Sequence, residues 1–138
     1  MIGGSQAGQA QRTAYLEQHG RIDVCGDEDD KEFEVSLNIG TVRQSDSLFG
    51  FNFRINYDPE KVEFENGLFQ NTLSQFFEEK RVTTVNDSGF VMGFAIQLNF
   101  NLPPVSGNRP LVALAGNFKG DCPDTTAIEI QYIDFTEE

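Results

Sequence analysis

The stretch that decides the fold runs from residue 49 to residue 64 and reads FGFNFRINYDPEKVEF. Large apolar side chains occupy every second position as far as Tyr57, with small or polar residues between them. This period of two predicts a β-strand with one dry face and one wet face, because successive side chains point to opposite sides of a sheet. Pro59 ends the strand, since proline cannot donate to a central ladder, and Val62 and Phe64 then resume the alternation.

The same kind of pattern recurs along the chain. Further strands are predicted at Arg21–Val24, Phe33–Ile39, Val82–Val85, Phe90–Phe100, Leu111–Ala115 and Ile128–Phe135. A change of parity at Ile133 predicts a bulge in the last of them. About eight or nine short strands with no room for crossover helices predict an all-β fold, an antiparallel β-sandwich of jelly-roll topology. The chain has 13 Phe and no Trp, and we expect most of these rings to lie in the core.

The N-terminal residues differ in composition from the rest. Good helix formers between Gln6 and His19 predict a short peripheral helix that ends at Gly20, unless this leader is disordered. We therefore divide the chain into a leader or linker at residues 1–20 and a single domain at residues 21–138. A length of 138 residues suits one domain, which we expect to be part of a longer protein.

The charge of the chain excludes some partners. Asp and Glu number 22 against 10 Lys and Arg, which gives a net charge of -12. Such a surface repels phosphate backbones and anionic lipids, so nucleic acid is not an expected partner. No run approaches the roughly 20 apolar residues of a membrane span, and no membrane insertion is expected. A basic protein or a divalent cation would suit the charge, although the charge also serves solubility alone.

The two cysteines, Cys25 and Cys122, lie far apart and in no CxxC pair, and one His cannot complete a zinc site with them. A disulfide between them is favoured and implies an oxidising compartment. Two separate buried thiols are the alternative.

The segment from Phe51 to Phe64, with Tyr57-Asp58-Pro59 at its centre, resembles a recurrent segment of the cohesin domains. The resemblance extends over residues 21–138 and implies a nine-stranded jelly-roll sandwich that docks a dockerin module in a secreted or cell-surface assembly. No short recognition motif of that family can be matched here, so no recognition residues are carried over. The family's parallel first and last strands would place Cys25 and Cys122 near opposite ends of their strands, which conflicts with a disulfide unless loops bring them together.

An acidic run between Asp23 and Glu34 is a candidate calcium site. It does not fit an EF-hand, because Lys31 and Glu32 stand at the fifth and sixth loop positions. If the disulfide forms, aspartates near both cysteines would meet. The candidate calcium ligands are Asp27, Asp29, Asp30, Asp121 and Asp124. A solvated acidic turn is the alternative, so calcium is a possible cofactor and no other is indicated.

Catalysis is not expected. The only histidine, His19, lies in the polar leader, and no pair of carboxylates or phosphate-binding glycine motif is recognisable. Phe69, Phe76 and Phe77 break the strand pattern, and they either plug one end of the sandwich or form a patch that contacts a partner. Asn86-Asp87-Ser88 matches a glycosylation sequon in a predicted turn.

The sequence thus predicts a non-catalytic extracellular interaction module, cohesin-like, that docks a protein partner such as a dockerin-like module. The alternative is a carbohydrate-binding module that holds polysaccharide on the same sandwich, and an accessory domain without a ligand is a third interpretation. An exposed aromatic platform would favour the carbohydrate module. A flat apolar patch with acidic residues around it would favour docking.

Overall fold

The computed structural model describes residues 13–19, 25–27, 31–122 and 125–137. Within them the chain forms eight β-strands and one short 3-10 helix, Gln44–Asp46. The strands are β1 (Tyr15–His19), β2 (Glu32–Asn38), β3 (Leu48–Tyr57), β4 (Val62–Leu68), β5 (Glu79–Val85), β6 (Phe90–Ile96), β7 (Val112–Phe118) and β8 (Ile128–Glu137). The all-β prediction is confirmed, while the strand expected at Arg21–Val24 lies outside the described residues.

Two four-stranded sheets pack into a sandwich. The first sheet has the order β1-β2-β7-β4 and the second has the order β5-β6-β3-β8. All of the paired strands are antiparallel, and most connections pass from one sheet to the other. The predicted antiparallel sandwich of jelly-roll type is therefore confirmed. In the described part of the chain, no helix is long and apolar enough to cross a bilayer.

Large side chains of β3 fill the core side of the second sheet. Phe51, Phe53 and Ile55 point into the core, and in the ladder with the neighbouring β6 Phe53 lies directly opposite Gly93. A Cβ atom at Gly93 would lie 2.9 Å from the Phe53 ring and 2.7 Å from the carbonyl oxygen of Arg81. The core face of β6 therefore has room only for small side chains, because β3 already occupies the space with large ones.

This packing reverses the expected orientation of β6. The strand ends at Ile96 rather than continuing to Phe100, and its core face carries Val91 and Ala95, which are buried. The larger side chains of the alternation point to the outer face of the sheet, and Phe94 is 39% exposed. The prediction of a buried phenylalanine face is thus confirmed for β3 and wrong for β6.

The N-terminal segment also differs from its prediction. Residues 6–12 of the predicted helix lie outside the described residues, but Tyr15–His19 forms a strand that pairs with β2. A helix here would have had only Tyr15 and Leu16 as apolar anchors. The strand instead bonds its backbone to the edge of β2, and Leu16 packs against the core. The helix prediction is therefore wrong for these five residues.

Cys25 and Cys122 form a disulfide across 97 residues, with their Cα atoms 4.8 Å apart. Cys25 follows β1, and Cys122 lies between β7 and β8. Glu32 at the start of β2 pairs with Asn117 near the end of β7, so the two loops leave the sheet at the same end. The loops therefore bring the two cysteines together within the sandwich, which removes the conflict expected from the resemblance.

The reversed orientation of β6 predicts unequal costs for two identical truncations. Phe53→Ala should lower the free energy of unfolding by about 3–5 kcal/mol, because it opens a cavity in the core. Phe94→Ala should change it by no more than about 1 kcal/mol, since the ring lies on the outer face of the sheet and leaves no core cavity. Urea denaturation of both variants with the disulfide intact measures the difference, and equal losses would contradict the orientation.

Candidate interaction surface

An apolar stripe crosses the outer face of the second sheet. It consists of four β6 side chains, Phe90, Met92, Phe94 and Ile96, of which Met92 is 36% exposed and Phe94 39% exposed. Their neighbours on β3 and β5 are mostly polar or small, so the stripe stands between polar rows. A contiguous apolar surface of this kind marks an interaction site more often than a chance exposure does.

The loop after β6 carries three further exposed apolar side chains. Leu98, Phe100 and Leu102 are 54%, 52% and 51% exposed. The loop is held in place, because Glu78 Oε1 accepts the backbone N–H of Leu98 at 3.0 Å. The Phe100 ring also meets the buried Phe49 ring edge-on, with centroids 4.8 Å apart. The exposed side chains are thus presented by a fixed loop.

A positive charge is fixed beside the stripe. Arg54 of β3 lies opposite Met92 in the β-ladder, and its guanidinium carbon is 3.9 Å from the centroid of the Phe90 ring. Arg54 Nε donates to Asn56 Oδ1 at 3.1 Å, and Asn56 Nδ2 donates to Gln131 Oε1 at 2.6 Å. The side chain is therefore oriented by a stacked ring and by a chain of two hydrogen bonds.

The outer face of the first sheet has a different character. Glutamates occupy β1, β2 and β4 on this side, and the centre of the face carries small side chains. His19 Nε2 lies 2.8 Å from Ser36 Oγ and 3.7 Å from Glu17 Oε1. A depression of about 350 Å³ lies beside His19 and is lined mostly by polar residues, together with Leu68, Pro110 and Ala113. The acidic and apolar surfaces are thus on opposite sides of the sandwich.

The candidate calcium ligands are only partly described. The structure describes Asp27 and Asp121, whereas Asp29, Asp30 and Asp124 lie outside the described residues. Among the residues that are described, no three His, Cys, Asp or Glu side chains form a group that could hold a metal ion. A calcium site at the disulfide therefore stays a prediction.

The three phenylalanines proposed as a contact patch have different surroundings. Phe77 is buried in the core, and Phe69 is half-buried against it with Lys80 Nζ 5.6 Å from the ring centroid. Phe76 is 83% exposed. The interpretation of a three-ring patch is therefore wrong for Phe77, which closes the core as the alternative interpretation expected.

Asn86, the first residue of the sequon, is held by hydrogen bonds. Its Oδ1 accepts the backbone N–H of Phe64 at 3.0 Å and the hydroxyl of Tyr57, and its Nδ2 donates to the Phe64 carbonyl at 2.9 Å. The Asn86 side chain thus bonds the backbone of Phe64 as a neighbouring strand would, and it links the two sheets. Burial raises the pKa of Tyr57 to about 12, and the carboxylate of Glu63 adds to the rise, so the hydroxyl stays a donor at neutral pH.

The apolar stripe was not predicted, although the sequence of β6 contains a signal for it. The positions between the large residues of β6 are Val91, Gly93 and Ala95, which are small but compatible with a core. A strand with apolar residues at both parities can bury either side. Which side of β6 is buried depends on the core volume that the neighbouring strand β3 already fills.

The amide of Asn86 should contribute measurably to stability. Asn86→Asp should lower the free energy of unfolding by about 1–3 kcal/mol, because the carboxylate cannot donate to the half-buried Phe64 carbonyl. Asp87→Asn, an exposed change in the same turn, is the matched control and should have little effect. Guanidinium denaturation at neutral pH compares the variants, and an unaffected Asn86→Asp protein would contradict the role of the amide.

Several solved structures share this fold. The complex of the sixth cohesin of scaffoldin B from Acetivibrio cellulolyticus with a Cel5 dockerin aligns with a TM-score of 0.68 and 13% identity, over 88% of this chain and 84% of that chain. A type I cohesin–dockerin complex of OlpA from Clostridium thermocellum aligns with a TM-score of 0.67 and 12% identity, over 89% and 83%. The third ScaC cohesin of A. cellulolyticus in complex with the ScaB dockerin aligns with a TM-score of 0.63 and 15% identity, over 98% and 82%.

No protein-family model matches the chain, and no curated protein matches it. At identities of 12–15% the likeness to the solved structures is one of fold. The resemblance noted around Tyr57-Asp58-Pro59 is confirmed at that level. In fold, the chain is a cohesin-like β-sandwich.

Proposed function

We propose that this chain is a non-catalytic docking module that binds a protein partner through the outer face of its second sheet. The observation that carries the proposal is the apolar stripe of β6, where Met92 and Phe94 are more than a third exposed. Aromatic rings, methionine and arginine are enriched at protein interfaces, and this face combines all three. The stripe has the composition of an interface core.

A dockerin-type module is the proposed partner. The three structural neighbours described above are cohesins in complex with dockerins, and the share of this chain that aligns with them is 88–98%. The analogy with these cohesins rests on the fold, and the exposed stripe is the local feature of this chain that supports it. Together they favour docking over the alternatives.

We place the module outside the cell, in a secreted or cell-surface assembly. The Cys25–Cys122 disulfide supports this location, because disulfides persist mainly in oxidising compartments. The cohesin–dockerin complexes among the structural neighbours support a non-catalytic role by analogy of fold.

A carbohydrate-binding module is less well supported. Sugar rings stack on exposed Tyr or Trp, and the chain has no Trp and three Tyr. Tyr57 is buried, Tyr132 is half-buried, and Tyr15 stands on β1 at the edge of the other sheet. The exposed apolar side chains belong mainly to Phe, Met and Leu, which suit a protein contact.

Calorimetric titration with dockerin modules from the source organism, in calcium and in chelator, tests the proposal. Phe94→Ala should weaken binding by about tenfold or more, because a buried aromatic anchor of an interface is lost. Tyr15→Ala is the matched control, since it removes a partly exposed ring from the opposite sheet and should leave the affinity unchanged.

Other outcomes would locate or overturn the function. If Phe76→Ala weakened binding while Phe94→Ala did not, the interface would lie at the exposed loop and the assignment to the sheet face would be wrong. If no dockerin bound but insoluble polysaccharide retained the protein, the docking proposal would be overturned in favour of a carbohydrate module.

A further inference from the structure

Arg54 combines three properties that an exposed arginine seldom has together. Its side chain is half-buried, its guanidinium lies against the Phe90 ring, and its Nε is bonded to Asn56. Among the described residues, none accepts a hydrogen bond from its two terminal nitrogens. The guanidinium is thus held in place, while the edge that can bind a ligand stays available.

The orientation of Arg54 depends on a β-bulge. The register of β3 with β8 shifts between Arg54 and Ile55, so that Arg54 pairs with Tyr132 and Ile55 pairs with Ile130. Gln131 is the extra residue, and it is exposed on the outer side, where it accepts the bond from Asn56. Bulges often re-aim a side chain in this way. Asn56 and Gln131 are therefore positioning residues for Arg54.

We infer that Arg54 selects the docking partner by binding a side-chain carboxylate that the partner presents beside its apolar contact surface. A guanidinium offers two parallel N–H donors that match the two oxygens of a carboxylate. The apolar stripe beside Arg54 would help to exclude water in the complex and strengthen that pair. A partner with no charge at this point would leave a desolvated guanidinium unpaired, which disfavours it.

The surrounding charges are consistent with a single carboxylate. Arg81 of β5 lies opposite Phe94 and adds a second positive charge to this face. Three exposed acidic residues share the face: Glu79 of β5, opposite Ile96, and Glu129 and Asp134 of β8, opposite Asn56 and Asn52. A more strongly anionic partner would meet the net charge of -12 carried by the whole chain. We therefore expect the partner to place one carboxylate against Arg54 and no further negative charge on this face.

The inference deepens the proposed function and rests on it, but its test does not need the natural partner. Nitrogen-15 NMR would follow the guanidinium signals of Arg54 during titration with phenylpropionate, which carries one ring and one carboxylate. Phenylpropionamide, the uncharged analogue, is the paired probe. Binding at Arg54 should be about tenfold tighter for the carboxylate than for the amide, as expected for charge-assisted hydrogen bonds.

Variants separate selection by Arg54 from a general effect of positive charge. Arg54→Lys keeps the charge but cannot form the fork, and Asn56→Ala removes the bond to Nε, so both should reduce the preference for the carboxylate. Arg81→Ala removes an equal charge from the same face and should leave the preference intact. A well-dispersed amide spectrum would verify that each variant is folded.

Two results would overturn the inference. One is an equal response of Arg54 to the carboxylate and to the amide. The other is an equal response of Arg54 and Arg81 to the carboxylate, which would indicate attraction of anions without selection. Neither result bears on whether dockerins bind this face, because the calorimetric titration with Phe94→Ala decides that separately.

Discussion

The packing of β3 against β6 is the constraint on which the surface of this protein depends. The Phe53 ring lies so close to Gly93 that no side chain fits at that position. Because neighbouring positions of a strand point to opposite faces, the small residues required inside force the large residues of β6 outside. The apolar stripe is therefore a direct result of how the core is filled.

The position of Arg54 beside the stripe depends on the ladder between β3 and β8. A single extra residue in β8 shifts the register beside Arg54 and turns Gln131 outward. Gln131 then fixes Asn56, and Asn56 fixes the guanidinium that stacks on Phe90. The irregularity in the ladder thus organises a polar network beside the apolar stripe. Preorganisation of this kind reduces the side-chain entropy that binding would otherwise cost.

The two sheets are held together by more than the core. Asn86 bonds to both backbone groups of Phe64 and so joins the β5–β6 turn to β4 of the other sheet. At another edge of the sandwich, the Cys25–Cys122 disulfide links the loops that leave the first sheet beside β2 and β7. The apolar stripe lies away from both connections, on the outer face of β6. Substitutions in the stripe can therefore test the proposed binding without unfolding the domain.

Much of the fold was determined by the sequence itself. The alternation from Phe51 to Tyr57 identified β3 as a core strand, and the parity change at Ile133 correctly predicted an irregularity in β8. These features are local, since each depends on the spacing of residues along one strand. Only the tertiary structure decided which face of β6 is buried, because Val91 and Phe94 lie on opposite faces and the volume of Phe53 on another strand selects between them. The contact of Arg54 with Phe90 and the proximity of the two cysteines were likewise decided by strand register, a relation between distant segments that spacing along one strand does not contain.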